Sequence, residues 1–291
     1  MVGNIDHLLV TRFNLPSKGN ESLIRAREGW LRDRIALFER YCLPSVEAQT
    51  NKNFSWLVYF DPASPSWLLD RVKEHERGRA YHPVFREEVT PAELVVDASD
   101  VIGGTRRAGM MTTNLDNDDG IAADFVERLQ AAADPSRRQA LYLADGLIRR
   151  GDSLFVRVDV HNAFCSVAEP WDSPMTCWAD WHNLLPVHMP ATVLRGAPGW
   201  LQVIHDSNVS NRVRGRLTDP SLHRATFAGL IDDMPVPSRT ALVKDATVSQ
   251  VARGAREGAR ATVKAVLSAT GGKDGLDRAK AVWTSLRHVA R

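Results

Sequence analysis

A mixed α/β fold is what this chain predicts, and three observations carry the prediction. Apolar, strand-like runs at 8–13, 54–60 and 110–115 are each followed by a helical pattern, so strand and helix alternate three times. Residues 140–144 and 154–160 then read as antiparallel strands, which makes the sheet mixed rather than purely parallel. The length of 291 residues suffices for one large core, or for one core with a small C-terminal addition.

The elements follow in order. LLVTRF at 8–13 is a short strand, and a polar loop occupies 14–22. Hydrophobic residues recur at Trp30, Leu31, Ile35, Leu37, Phe38 and Tyr41, which predicts a helix over 30–41 with one broad buried face. Pro44 opens a second short helix ending near Gln49, because a proline in the first turn gives up no internal hydrogen bond. FSWLVYF at 54–60 is dense enough for a central strand with Asp61 at its tip. Ser64 and Pro65 suit a helix start, running through Glu76. The clearest helix signal is Thr90-Pro91-Ala92-Glu93: Thr90 caps, Pro91 fits the first turn, and Glu93 returns a hydrogen bond to the cap amide, carrying Leu94 and Val95 into the core.

Gly103 and Gly104 break that pattern before the strand at 110–115, and a helix over 121–133 places Phe125, Val126 and Leu129 on its apolar side. Asp145 and Gly146 read as a turn between the two antiparallel strands. Between 170 and 198, prolines together with Trp171, Trp178 and Trp181 predict an ordered, loop-rich cover. WLQVIH at 200–205 reads as the final strand, and the polar stretch 206–218 carries Arg212, Arg214 and Arg216. Alanine-rich helical patterns at 247–270 and 276–288 flank Gly271 and Gly272. The expected division is therefore a domain over 1–218 and a linker with a helical appendage over 219–291, packed on the core.

With 37 basic and 35 acidic residues, the net charge of +2 gives no field for nucleic acid or a membrane over the whole surface. Cys42, Cys165 and Cys177 are widely spaced and suggest neither a disulfide framework nor a chelating cluster. No run approaches the roughly 20 apolar residues that span a bilayer, and no cationic segment leads into a secretory stretch, so a soluble, reducing cytoplasm is the expected setting. The basic amphipathic C-terminal patterns favour packing on this chain or self-association over peripheral membrane contact. The absence of a G-x-x-x-x-G-K loop disfavours a P-loop ATPase.

The segment MMTTNLDNDDGI at 110–121 is the most informative in the chain, since it sets Asp116, Asp118 and Asp119 at the end of a strand. Three carboxylates in four residues repel one another, and a fold keeps them together mainly where a cation or a ring of donors offsets the repulsion. Strand alternation sends Asp116 and Asp118 to one side, where they can hold a divalent ion against a diphosphate, while Asp119 can cap the helix expected near Ile121. A solvated acidic turn is the alternative.

LLVTRFN at 8–14, LFERYCLPSVEAQTNKNFSWLVYFD at 37–61, TTNLDNDDGI and WLQVIHDSNVSN at 200–211 together resemble a nucleotide-sugar glycosyltransferase of the GT-A fold, and more narrowly the "putative rhamnosyl transferase" family. The resemblance covers about the first 210 residues. It implies a GT-A-like, Rossmann-like mixed sheet flanked by helices, with a UDP- or dTDP-linked sugar donor bound over the strand ends. Thr11, Arg12 and Phe13 would lie near the base or ribose, with Asp61 accepting from either. Asp116 and Asp118 would hold Mn²⁺ or Mg²⁺, His205 beside Asn208 and Asn211 would complete the metal shell, Asp119 would orient the donor sugar or cap, and Arg212 would reach a phosphate. Arg106 and its neighbour Arg107 precede the acidic motif and point to the pyrophosphate or to the carboxylates.

An inverting transfer also needs a carboxylate to take the proton of the attacking hydroxyl of a carbohydrate or other acceptor. Asp180 ranks first, then Glu169 and Asp172, all in the Trp-rich region where aromatic faces can stack on sugar rings; in a retaining transfer they would only bind acceptor hydroxyls. Two rival readings remain: a metal-dependent nucleotidyltransferase, and a non-catalytic glycan-binding module on a glycosyltransferase fold.

Overall fold

In a computed structural model that describes residues 4–16, 29–78, 80–205 and 214–249, the chain divides into two units, Met1–Pro237 and Ser238–Arg291. The first is built on a seven-stranded sheet. Its strands β1 (Ile5–Arg12), β2 (Ser55–Phe60), β3 (His82–Phe85) and β4 (Gly109–Asn114) are parallel, in the order β4-β1-β2-β3. β9 (Ser166–Glu169) lies antiparallel to both β4 and β6 (Gln139–Leu143), and β10 (Ala191–Leu194) continues the sheet beyond β6. Both faces of β1 and β2 are covered, which is why these strands are apolar runs without alternation. One apolar layer gathers Leu9, Phe13, Phe38, Trp56 and Phe60, and the other gathers Leu8, Val10, Leu57, Tyr59 and Tyr142.

A second sheet has the order β12-β8-β7-β11-β5, formed by β5 (Gly120–Ile121), β7 (Asp145–Arg150), β8 (Ser153–Val158), β11 (Trp200–Ile204) and β12 (Arg216–Thr218). Its central pair corrects the turn expected at Asp145 and Gly146: both residues belong to β7, and the hairpin to β8 closes after Arg150, where Gly151 adopts a positive φ of 52°. Gly146 serves packing instead, because a side chain there would run into the Trp200 indole. The strand at 200–204 is not the last, since β12 follows it.

The helices expected over 30–41 and from Pro44 merge into one nearly continuous rod: α1 (Trp30–Leu37), a π-helical turn over Phe38–Cys42, and α2 (Leu43–Glu47). α3 (Ser66–Arg77) begins one residue later than expected, because the Ser64 hydroxyl donates to the Asp61 carbonyl rather than capping. α4 (Pro91–Ile102) starts on the capping box foreseen at Thr90 and Glu93, and it buries Leu94, Asp97 and Ala98. α5 (Phe125–Ala132) begins four residues later than expected because Gly120 and Ile121 pair with Leu201 and Trp200 as a strand. α6 (Leu185–His188) belongs to the loop-rich cover.

Residues 219–237, assigned from the sequence to the linker, lie within the first unit. Phe227, Leu230, Ile231 and Met234 are buried there, and Arg149 donates to the Leu230 carbonyl and, through two nitrogens, to the Asp233 carboxylate at 2.8 and 2.7 Å. In the second unit, α7 (Arg239–Lys244) is capped by the Ser238 hydroxyl. The helical patterns at 250–270 and 276–288 lie outside the described residues. All three cysteines are buried thiols, and among the described residues no helix is long and apolar enough to cross a membrane.

Candidate functional site

Strands β4, β1 and β2 run parallel in register, Val10 beside Asn114 and Arg12 beside Tyr59, so their C-terminal ends deliver three loops to one edge. The acidic motif is the loop after β4. It forms a tight turn, with the Asp119 amide donating to the Asp116 carbonyl at 3.3 Å, in place of the continued strand alternation. Asn117 anchors the turn to β1: its amide nitrogen donates to the carbonyls of Arg12 and Phe13 at 2.9 and 2.6 Å. Behind the turn, the Gln49 amide nitrogen donates to the carbonyls of Ser45 and Ala122, and its oxygen accepts from the Val126 amide, fixing the chain that leads into α5.

The three aspartates have different surroundings. Asp119 is buried, and one of its oxygens accepts from the Val203 amide of β11 at 2.8 Å. That bond sets His205, two residues later, against Asp118, with Nε2 to Oδ2 at 2.9 Å. Asp118 Oδ2 also meets Arg34 Nη1 of α1 at 2.6 Å. Asp116 keeps an exposed surface although protein crowds its carboxyl, and it accepts from the Asn114 side-chain amide at 3.3 Å. Enclosure first, and the Asp118 charge second, push its carboxyl up to about 6, against the pull of Asn114, Arg12 and Arg34. Burial and the charges of Asp118 and Asp116 raise Asp119 well above the ordinary range. For Asp118, burial acts upward too, but the His205 hydrogen bond and the Arg34 charge outweigh it and hold the group low.

Arginines flank the turn. Arg12 is exposed at the end of β1, its guanidinium 3.9 Å from the centre of the Trp178 ring, and the Trp178 indole donates to the Asn114 side chain at 2.8 Å. Arg34 and His205 stand at Asp118. On the neighbouring loop, the Asp61 amide donates to the Asn14 side chain, and its carboxylate accepts from the Ala63 amide at 2.8 Å. Asp61 therefore stands at the expected edge, with part of its bonding capacity spent on its own turn.

Other predicted residues are elsewhere. The Thr11 hydroxyl is fully buried and accepts from the Trp56 indole at 2.9 Å, leaving no surface for a ligand. The Phe13 ring packs on Phe38 and Phe60 in the core, and only its carbonyl serves the turn. Arg106 precedes β4, whose six residues span roughly 20 Å, so it lies at the opposite end of the strand from the aspartates. There it stacks on Trp171 and donates to the Ser99 hydroxyl. Glu169 is at that far end as well, beside Met110, fully buried between Arg138 and the amides of Met175 and Thr176. Asp172 is exposed next to Trp171, whose indole donates to Asp6 on the same side. Glu169, and the Trp171 anchor beside Asp172, thus lie at the end of the strands opposite the acidic turn.

Asp180 is different. It lies two residues from Trp178, which meets Asn114, and two from His182, whose carbonyl accepts from the Tyr142 hydroxyl at 2.6 Å near the C-terminal end of β6. These anchors bring the segment to the edge that carries the aspartates. One Asp180 oxygen accepts from the Trp181 amide at 2.7 Å, and the other meets His188 Nε2 at 2.8 Å; these bonds keep its carboxyl below the usual range. Trp181 beside it is 73% exposed. Arg212, Asn208 and Asn211 lie outside the described residues.

Sequence reasoning missed Arg34, Asn117 and His188. Arg34 had left a signal: it interrupts an i, i+4, i+8 row between Trp30 and Phe38, both buried, where a charge needs a partner inside. Asn117 and His188 had none beyond adjacency.

The family described as "Putative rhamnosyl transferase" matches residues 6–217, which include every strand of the main sheet except the first residue of β1, and the whole acidic turn. No curated protein matches the chain. Among solved structures, S. aureus TarS is similar at 12% identity over 69% of this chain and 37% of that one, with a TM-score of 0.40. TarS 1-349 in complex with UDP is similar at 10% identity over 69% of this chain and 61% of that one, also at 0.40. A "putative nucleotide-diphospho-sugar transferase" from Desulfovibrio desulfuricans G20 is similar at 8% identity over 69% and 83%, at 0.34. The chain spans less than two thirds of either TarS chain.

Proposed function

Because the chain belongs to the "Putative rhamnosyl transferase" family, and is therefore glycosyltransferase-like, we propose that it transfers a sugar from a UDP- or dTDP-linked donor to a carbohydrate or other hydroxyl acceptor. The observation that carries this reading is the Asp116–Asp119 turn at the C-terminal strand edge, with three aspartates in four residues, braced to His205 and flanked by Arg12 and Arg34. Its donor set fits a divalent ion, Mn²⁺ or Mg²⁺, held by Asp116 and Asp118 with His205 beside them. Such an ion supplies charge stabilisation for the departing nucleoside diphosphate. Arg12, stacked on Trp178, would meet the same diphosphate as a bidentate donor. The reading is tested by the product: donor turnover should release nucleoside diphosphate, whereas pyrophosphate released from a nucleoside triphosphate would mark nucleotidyl transfer.

On the acceptor side, Asp180 is the carboxylate we retain as proton acceptor, with His188 as its partner and Trp181 as a face for a sugar ring. Asp180→Asn is expected to keep donor binding within about twofold and to lower single-turnover transfer by roughly a hundredfold or more, since the amide keeps the shape and loses the basicity. Near-wild-type transfer by the folded variant would remove Asp180 from the chemistry.

A further inference from the structure

Arg34 stands on an anchored helix. α1 buries Trp30 and Ile35, and the Arg34 guanidinium lies 5.2 Å from the centre of the Trp30 ring, so its tip reaches the acidic turn from a fixed base. That tip meets Asp118 Oδ2 at 2.6 Å and donates to Asn117 Oδ1 at 3.1 Å, with only 13% of the side chain exposed. His205 Nε2 meets the same carboxylate oxygen. An oxygen engaged by two such donors must lose one of them before it binds a divalent cation. Of the residues suited to a metal, Asp118 is therefore already held by a cation that belongs to the chain.

We propose that Arg34 and a divalent cation compete for Asp118, and that the guanidinium displaced from the carboxylate engages the donor diphosphate. The inference rests on the donor-site reading above and adds to it a residue with two alternative partners. Charge balance favours the exchange: the divalent ion takes over the Asp118 charge, and the incoming diphosphate brings the negative charge that Arg34 then needs. Shape favours it too, because the planar fork of a guanidinium fits carboxylate and phosphate oxygens alike. A fixed structural ion pair would make no such link between metal and nucleotide.

The test compares wild type, Arg34→Gln and Arg34→Lys by calorimetry, with Mn²⁺ alone and then with UDP and dTDP at saturating Mn²⁺. Arg34→Gln is expected to bind Mn²⁺ alone about tenfold tighter than wild type and the nucleotide about tenfold weaker. Arg34→Lys, which keeps the charge, should stay near wild type toward Mn²⁺. Where Arg34→Gln melts well below the wild type, Arg34→Met serves the same comparison. Wild-type binding of Mn²⁺ that Arg34→Gln leaves unchanged or weakens overturns the competition while leaving the metal site intact. Failure of wild type and variant alike to bind Mn²⁺ overturns the competition together with the metal reading.

Discussion

Asp118→Asn is expected to lower sugar transfer by roughly a hundredfold or more, the scale on which a fixed electrostatic partner of a charged leaving group acts. The asparagine keeps an acceptor oxygen for Arg34 and His205, so the turn should hold its shape, with a stability loss of about 1–3 kcal/mol for the weakened buried pair. Donor affinity should lose its dependence on Mn²⁺ along with the activity. Calorimetry with and without Mn²⁺, beside a thermal melt, separates the two effects. Unchanged metal-dependent donor affinity in the folded variant would take Asp118 out of the site.

Glu169→Ala is expected to act on the fold and not on the chemistry. It removes a fully buried carboxylate that accepts from Arg138 at 2.7 Å and from the amides of Met175 and Thr176 at 2.9 and 2.8 Å, stranding two backbone donors and a cation. A loss of about 3 kcal/mol or more in urea unfolding is the expected size. Glu169→Gln, able to keep most of these bonds, should lose less and transfer sugar at a near-normal rate while folded. A stable Glu169→Gln protein without activity would contradict the placement of Glu169 at the far strand edge.

These two carboxylates show where the sequence is legible and where it is not. The strand–helix alternation and the capping box at Thr90 depend on local residues, and the structure has both. The acidic turn and His205 are also brought together, though through a bond between Asp119 and the Val203 amide that no local pattern announces. Thr11 and Phe13 could not be oriented from sequence, because a strand buried on both faces loses the alternation that separates core from crevice. Arg106 and Glu169 were misplaced for a different reason. Nearness to the motif along the chain says nothing about which end of a strand a residue occupies, and Glu169 enters only through the antiparallel pairing of β9 with β4. The two-residue strand at Gly120–Ile121 is equally non-local, and it displaced the helix start on which the capping expectation for Asp119 depended.

The central claim is that the edge carrying Asp116, Asp118, His205, Arg12 and Arg34 binds a nucleotide-linked sugar with the help of a divalent ion. Calorimetric titration of the full chain with a panel of UDP- and dTDP-linked sugars, in Mn²⁺ and in its absence, measures this most directly. At least one donor is expected to bind, about tenfold or more tighter with Mn²⁺, and to lose that gain in Asp118→Asn. Absence of binding across the panel, or binding indifferent both to Mn²⁺ and to Asp118→Asn, would contradict the account.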